Sequence, residues 1–592
     1  CRELGFASML REFTDDTSVE VAAEAAPELL THDSTAQWAA RIPTGSPLAI
    51  AVATQGDDNA AAGITALGLA DESRLALVPL DRAVSRREVL DALKPVLEDA
   101  ARPKAVHDAK LTGLLLRQVG INLGGVTDDT FLYAYLTDPL ASSYSLQDVL
   151  LRREGAQPPG SAAQAAGAIR RLASILAPEM LAKGLDPLYR QIELPLASVL
   201  ADLEEAGVKI DPGILHRMSG EFEMKLAELT QSIYDLAGAP FDVDSPRQLG
   251  EILFEKLKLP GGKRLRKSGQ YSTDASVLEA LAGQHELPRR VLDYRSRAKL
   301  KSTYSDALPR FIDPATGRIH ARFNAAGSRT GRISSSNPNL QNIPVGDEFG
   351  ELIRSAFVAE SGWTLIAADY SQIELRVLAH LSQDPLLIEA FSRGEDIHSR
   401  TAQELFGIVP ALQTHEHRRM AKAINYGVIY GLSSFGLAQR TGASKAEAQR
   451  YIDEYFRRYQ RVNEFIRGCV ETARQTGEVR TRFGRLRPIP EIRSSDAPAR
   501  NRAEREAMNT PLQGTAADLM KLAMVKLAAR LKREGMRTRI ILTVHDELVL
   551  ESPETETKAA WTIIHDEMEG VYPLRVPLRV EIGMGGNWRD AK

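Results

Sequence analysis

The stretch Trp363–Gln383, WTLIAADYSQIELRVLAHLSQ, decides how the chain is read. Leu365, Ile366, Ala367 and Ala368 form a short apolar run of buried-strand length, and it stops at Asp369. Beyond it Ile373, Val377, Leu378 and Leu381 recur at helical spacing. The pattern predicts a strand handing over to a helix, with a carboxylate at the joint. Such a carboxylate stands on rigid scaffold at the floor of a cleft, a place suited to a metal ion. Taken alone, a strand-terminal Asp is more often the cap of the next helix. The rest of the chain decides between the two.

With 592 residues, about two to four domains are expected. A composition 43% hydrophobic and 26% charged is that of a globular protein able to bury large cores. The two cysteines, Cys1 and Cys469, make neither a disulfide framework nor a metal-ligand spacing, which points to a reducing compartment. No apolar run reaches membrane-spanning length and no secretory signal is visible. The first residue is Cys rather than Met, which suggests a piece of a longer polypeptide. The net charge of −4 argues against nucleic acid, but the charge is segregated: residues 1–33 hold eight acids and two arginines, and basic clusters come later. Local patches therefore decide the partner.

Residues 1–40, with the helical GFASMLREF, read as an acidic connector. LAIAVATQ, GITALGLAD and RLALVPL read as three strands of a meander, followed by helical patterns, which makes a first α/β domain of about 180 residues. LDPLYRQIELPLASVLADLEEAG then reads as a long amphipathic helix ended by Gly207. Lys256–Gly269, KLKLPGGKRLRKSG, has six basic residues and no acid. It is either a solvated loop or a flexible tip that follows a phosphate backbone, and Lys263 and Arg264 lie in it. Arg289–Lys301 adds six basic residues against one acid and favours phosphate. Ser328–Pro344, SRTGRISSSNPNLQNIP, is almost free of apolar residues and so reads as outside the core. Its arginines and amides suit sugar, phosphate and minor-groove acceptors.

Arg418, Lys422, Tyr426 and Tyr430 are spaced four apart and share one helix face. The span is roughly 18 Å, enough to lie beside an extended nucleoside triphosphate. Cations at the N-terminal end would meet phosphates, helped by the helix dipole, and tyrosines at the other end would stack on a base. Gly427 and Gly431 would admit a backbone or base closely. Arg480–Arg502 carries seven arginines against two acids, and a long helix begins near Asn509 and Gln513 and ends at Gly535. RIILTVHDELVLE, Arg539–Glu551, reads as a hairpin with Asp546 and Glu547 near its tip. That acid pair is either solvated or on a cation. Asp369 and Asp546 on adjacent strand ends would together hold two Mg²⁺ ions roughly 3.5–4 Å apart, the substrate supplying the remaining ligands.

DYSQIELR, RRMAKAINYGVIYG and VHDEL, in that order, resemble motifs A, B and C of the family A DNA polymerases. TGRISSSNPNLQNIP resembles a fourth segment of the family, and the C-terminal GNW also fits. The resemblance is strong over residues 185–592 and weaker over 40–184. It implies an α/β multidomain chain: an RNase H-like 3′→5′ exonuclease-type domain at 1–184, then a right-hand polymerase at 185–592. The thumb would be about 208–325, the fingers about 396–505, and the palm the remainder. It implies Asp369 and Asp546 as ligands of Mg²⁺ (or Mn²⁺), and His398, Arg418 and Lys422 as holders of the triphosphate, with Lys422 protonating pyrophosphate. Gln372, Tyr426 and Tyr430 would face the nucleotide, and Glu374 would fill the space of a ribose 2′-hydroxyl. Arg332, Asn339, Gln341, Asn342, Arg505, Asn509, Gln513, His545, Lys263 and Arg264 would touch DNA. The implied partners are primer–template DNA and deoxynucleoside triphosphates, for a monomer in the bacterial cytoplasm, at the nucleoid, in repair and lagging-strand gap filling.

Two departures from the family matter. Tyr426 stands where many relatives have Phe, and its hydroxyl would replace the 3′-hydroxyl that a dideoxynucleotide lacks. The first domain lacks the exonuclease acids: none occurs from Ser34 to Gly56, and Gly155–Pro178 has neither Tyr nor Asp. Asp108, Asp128 and Asp129 remain, too few for a two-metal cage, so proofreading is expected to be absent. The rival readings are a related RNA polymerase, a nuclease and an inactive DNA clamp. Glu374, the vacant exonuclease positions and the retained Asp369 and Asp546 argue against them in turn.

Overall fold

The computed structural model describes residues 26–43, 45–56, 63–80, 83–265, 268–344 and 348–592. The segment GFASMLREF lies outside the described residues. So do the other residues before 26; the described part of the expected connector, residues 26–40, is more than a connector. Glu28–Leu29 pairs in parallel with the strand Leu75–Pro79, and the helix His32–Ala40 buries Trp38 to 2% exposure.

The three expected strands form as Leu48–Thr54, Ile64–Ala70 and Leu75–Pro79, paired antiparallel in sequence. Lys104–Val106 and Val126–Asp129 extend the sheet in parallel beyond Leu48–Thr54, giving six strands with Glu28–Leu29 at the far edge. The helix Ala162–Ala182 lies across this sheet so closely that a Cβ on Gly68 would sit 1.8 Å from the Ala162 carbonyl oxygen. Only glycine fits there.

The amphipathic run after Leu185 is helical to Ala206, with a π turn at Tyr189–Glu193, and ends at Gly207 with φ 59°. Pro212–Ala237 and Glu286–Leu300 then pack around Ile233, Leu253, Leu287 and Val291. The basic tip between them is not an open loop in its described part. Leu265 N–H donates to the Gln270 carbonyl (2.8 Å), and the Arg264 guanidinium stacks 4.5 Å over the Tyr271 ring. The polar segment Ser328–Pro344 also departs from expectation: Leu340 and Ile343 anchor it in the core at 1% and 2% exposure. Ser334–Ser336 pairs with Arg322–Asn324.

Trp363–Tyr370 is the centre of a four-stranded antiparallel sheet. It lies between Glu547–Pro553 and Val580–Gly585, and Arg539–Val544 forms one edge. The long helix that packs here begins at Ala497, twelve residues before Asn509, because Asp496 caps it and accepts the Ala499 N–H (3.1 Å). It runs to Arg533 through Pro511.

Four buried charges tie these parts together. Arg485 bonds Asp518 (2.6 Å) and Glu193, and Lys521 bonds Glu193 (2.8 Å); all four are at most 3% exposed. Burial pushes the Lys521 ammonium down to about 8, against the pull of Glu193. Every charge has an opposite partner, which is what makes burial of the group tolerable.

Candidate active site

The joint after Trp363–Tyr370 is built as the sequence suggests. Asp369 lies opposite Glu547 on one neighbouring strand and Glu581 on the other. The Tyr370 N–H donates to the Asp546 carbonyl (3.1 Å), which brings the hairpin tip to the strand end. His545 opens the two-residue turn at φ 53° and Gln372 starts the helix Ile373–Ser382 at φ 54°. Both are left-handed positions that non-glycine residues occupy at a cost of order 1–3 kcal/mol.

Burial first, then the Glu547, Asp546 and Glu581 carboxylates, push Asp369 up to about 6, against the pull of Lys592. Burial and Glu374 push Asp546 up to about 6 as well, against Arg332. Two crowded carboxylates of this kind are relieved by divalent cations. Among the described residues no three His, Cys, Asp or Glu side chains gather into a metal-holding cluster. The donor set fits Mg²⁺, which is commonly held by one or two carboxylates with substrate phosphates completing the shell. Glu547 is turned away from that task. It accepts the Trp588 indole N–H (2.7 Å) and pairs with Lys592 (3.2 Å) and Arg354 (3.4 Å).

Facing the acids is the helix His415–Ile429, opened by a Thr414 capping box. Arg418, Lys422, Tyr426 and Tyr430 line one cleft together with Asp369, Asp546, Gln372, Glu374, His398, Arg332 and His545. The Tyr426 and Tyr430 rings are nearly parallel (17°), centroids 6.4 Å apart. Tyr430 donates to one Glu374 oxygen (2.5 Å) and Arg332 to the other (2.7 Å). Arg418 is held by Asp396 through Nε (2.7 Å) and Nη2 (3.2 Å), and the same carboxylate caps the helix Ile397–Phe406. His398, 2% exposed, has Nδ1 3.0 Å from the Asn425 amide nitrogen. An amide N–H donates, so Nδ1 accepts and the ring proton sits on Nε2. Burial depresses His398 to about 4, helped by Arg418 and Lys422 and opposed by Asp396.

Gln341 and Asn342 line an adjoining cavity with Arg332, His545 and Asp546. Asn339 is exposed and closes a local turn, its Oδ1 accepting the Gln341 N–H (3.0 Å). Gln513 bonds the Tyr430 hydroxyl, and the Asn509 Oδ1 is buried without a partner among the described residues. Arg505 lies outside the cleft, its side chain packed on Gly431, and Lys263 and Arg264 stand on the distant hairpin tip. Gly431 and Gly427 admit side chains, not a base: a Cβ would meet Met508 at 2.7 Å and Leu432 at 3.3 Å respectively. Asp396 stands outside the sequence motifs, and Asn425 lies within the second of them without having been assigned a role. An Asp heading an apolar-periodic helix is a readable cap, but its hold on Arg418 is not.

In the first domain Asp108 and Asp129 are engaged at helix ends and Asp128 by local side chains. Asp108 accepts the Leu111 N–H (3.0 Å), and Asp129 accepts N–H groups from Asp108 (3.0 Å), Ala109 (2.8 Å) and Phe131 (2.9 Å). Asp128 accepts the Tyr133 hydroxyl (2.9 Å).

The family model described as DNA polymerase family A matches residues 213–590. The chain belongs to that family. A second model, the ribonuclease H-like domain of DNA polymerase I, matches residues 50–157. The architecture is therefore a ribonuclease H-like exonuclease-type domain followed by a family A polymerase domain. The thermostable DNA polymerase I of Thermus filiformis is 46% identical over 90% of this chain and 61% of its own length. For that of Thermus aquaticus the values are 45%, 84% and 59%, so the chain spans about three-fifths of these relatives. DNA polymerase I of Bacillus subtilis (strain 168) is 39% identical over 100% of this chain and 69% of its own length. A solved structure, the POL domain of Pol1 from M. smegmatis in complex with DNA primer-template and dNTP, superposes with a TM-score of 0.90. It is 37% identical and covers 95% of this chain and 100% of the other.

A family A site with this histidine environment has a simple signature. The His398 imidazole stays neutral from pH 8 to pH 5, with its proton on Nε2, when followed by ¹⁵N NMR. Because its folded value lies below the ordinary 6.5, the stability it contributes is lost as pH falls from about 6.5 through about 4. A titration midpoint near 6.5 would contradict the Asn425 contact.

Proposed function

We propose that the chain is a DNA-directed DNA polymerase that extends a primer 3′ end along a DNA template. The observation that carries this is the convergence of Asp369 and Asp546 in a cleft faced by Lys422, Arg418 and His398. Asp369 and Asp546 would hold two Mg²⁺ ions, or Mn²⁺. The chemistry these supply when bound is a lowered pKa for the attacking 3′-hydroxyl and neutralisation of the departing pyrophosphate.

The chain's own residues do the rest. Lys422 and Arg418 hold the phosphates, and the His398 Nε2–H donates to a phosphate oxygen. Lys422 delivers a proton to the leaving pyrophosphate. Gln372, Tyr426 and Tyr430 bound the nascent base pair. Glu374, fixed from two sides by Arg332 and Tyr430, excludes a 2′-hydroxyl. Arg332, His545, Gln341, Asn342, Gln513, Asn509, Asn339 and Arg505 form the primer–template side, and Lys263 and Arg264 reach the duplex backbone. In this reading residues 208–325 are the thumb, 396–505 the fingers, and the remainder of 185–592 the palm. Residues 1–184 are an exonuclease-like domain without proofreading, since the acids left in it are committed to helix caps and local hydrogen bonds. The protein acts as a monomer on nucleoid DNA in the bacterial cytoplasm, in repair and lagging-strand gap filling.

Primer extension with Mg²⁺ tests the proposal. Asp369→Asn and Asp546→Asn each lose about 10³-fold or more of kcat while retaining primer–template affinity, in line with loss of an electrostatic group at a phosphoryl transfer centre. Steady shortening of a mismatched primer end by the parent, lost on mutating a carboxylate in residues 1–184, would refute the inactive exonuclease. In a separate competition the parent uses dideoxy and deoxy substrates at similar efficiency, and Tyr426→Phe restores discrimination. Strong deoxy preference in the parent would rule out the role given to the Tyr426 hydroxyl.

A further inference from the structure

The exonuclease-like domain touches the turn that leads to Arg332 in the polymerase cleft, at a point that exonuclease chemistry does not explain. The Tyr135 hydroxyl, on its helix Thr130–Thr137, donates to the Ser328 carbonyl (2.8 Å). That carbonyl also accepts the Gly331 N–H (3.3 Å), closing the turn that ends at Arg332. On the other side of the turn lies Arg485, fixed by Glu193 and Asp518. A Cβ on Gly331 would stand 2.5 Å from the Arg485 Nε, so the turn rests directly on the guanidinium. The same guanidinium lies 5.9 Å from the centre of the Tyr135 ring. A second strut from the domain, Lys110, donates to the Phe323 carbonyl (2.8 Å) and pairs with Glu204 (2.6 Å). Arg332 leaves the turn and reaches Glu374 (2.7 Å), whose other oxygen takes the Tyr430 hydroxyl.

We propose that Tyr135 is a positioning residue for nucleotide selection: it sets the Ser328–Arg332 turn so that Arg332 holds Glu374 against the incoming sugar. The domain that carries it serves the polymerase as a fixed abutment. This rests on the reading of Glu374 as the group that excludes a 2′-hydroxyl. Tyr135 is 1% exposed and its ring packs in a buried cluster that joins the domain to Tyr189, Ile192 and Leu486, which Phe would fill equally, so the replacement removes the hydroxyl and little else.

The test uses the whole chain and measures kcat/KM for a deoxynucleotide and the matching ribonucleotide. Tyr135→Phe lowers the deoxy-over-ribo ratio about five-fold, the worth of one net hydrogen bond. Tyr133→Phe, on the same helix, loses a hydroxyl bond to the Asp128 carboxylate within the domain and leaves the ratio unchanged. In an Arg332→Ala background, Tyr135→Phe has no further effect on the ratio, because the path runs through Arg332. The inference is overturned if Tyr135→Phe keeps the parental ratio, or if it lowers the ratio by the same factor with and without Arg332. A parent that extends no primer removes the polymerase reading and this inference together. A parent that extends, with an unmoved Tyr135→Phe ratio, removes the inference alone.

Discussion

The pairing of Trp363–Tyr370 with the strands on either side of it is the constraint the rest of the site depends on. In that register Asp369 faces Glu547 and Glu581, and the neighbouring hairpin turns over at His545 and Asp546. A slip of one residue would turn Asp369 to the opposite face of the sheet, away from the hairpin turn. Buried Leu365, Ile366 and Ala368 on one strand, with Leu548, Val549 and Leu550 on the next, hold it in place. Apolar packing thus sets the position of two carboxylates whose own repulsion would separate them. Glu547, which lines the same cleft, has its carboxylate engaged by Trp588, Lys592 and Arg354, so C-terminal residues neutralise part of the acidic floor.

Much of this was legible in the chain because the signals are local. An apolar run stopping at Asp369, a hairpin around His545 and Asp546, and four side chains on one helical face each need only a short window of sequence. Their convergence followed from the resemblance of three ordered motifs to one family. What was not legible is non-local. The pairing of Arg418 with Asp396, the hold of Asn425 on His398 and the Glu193–Arg485–Asp518–Lys521 group join residues far apart in sequence. Ser328–Pro344 read as a polar surface segment because Leu340 and Ile343 are few, yet those two side chains anchor it. Gly427 and Gly431 read as room for a base, and the room is taken by Leu432, Met508 and Arg505.

The first domain uses its acids for its own fold. Its sheet has six strands, and Asp108 and Asp129 serve as acceptors at helix N-termini. Burial and the Asp108 charge push Asp129 up to about 7, a cost met by the N–H groups it satisfies. Its Lys110 and Tyr135 tie it to the Phe323 and Ser328 carbonyls of the following domain.

The central claim is that Asp369 and Asp546 act as one cation-holding unit. Electron paramagnetic resonance of Mn²⁺ bound to the protein with primer–template and a non-hydrolysable deoxynucleotide analogue reads that directly. The account predicts two tightly bound ions for the parent and loss of tight binding on either Asp369→Asn or Asp546→Asn. Unchanged binding in both variants would show that the two carboxylates do not share a metal site.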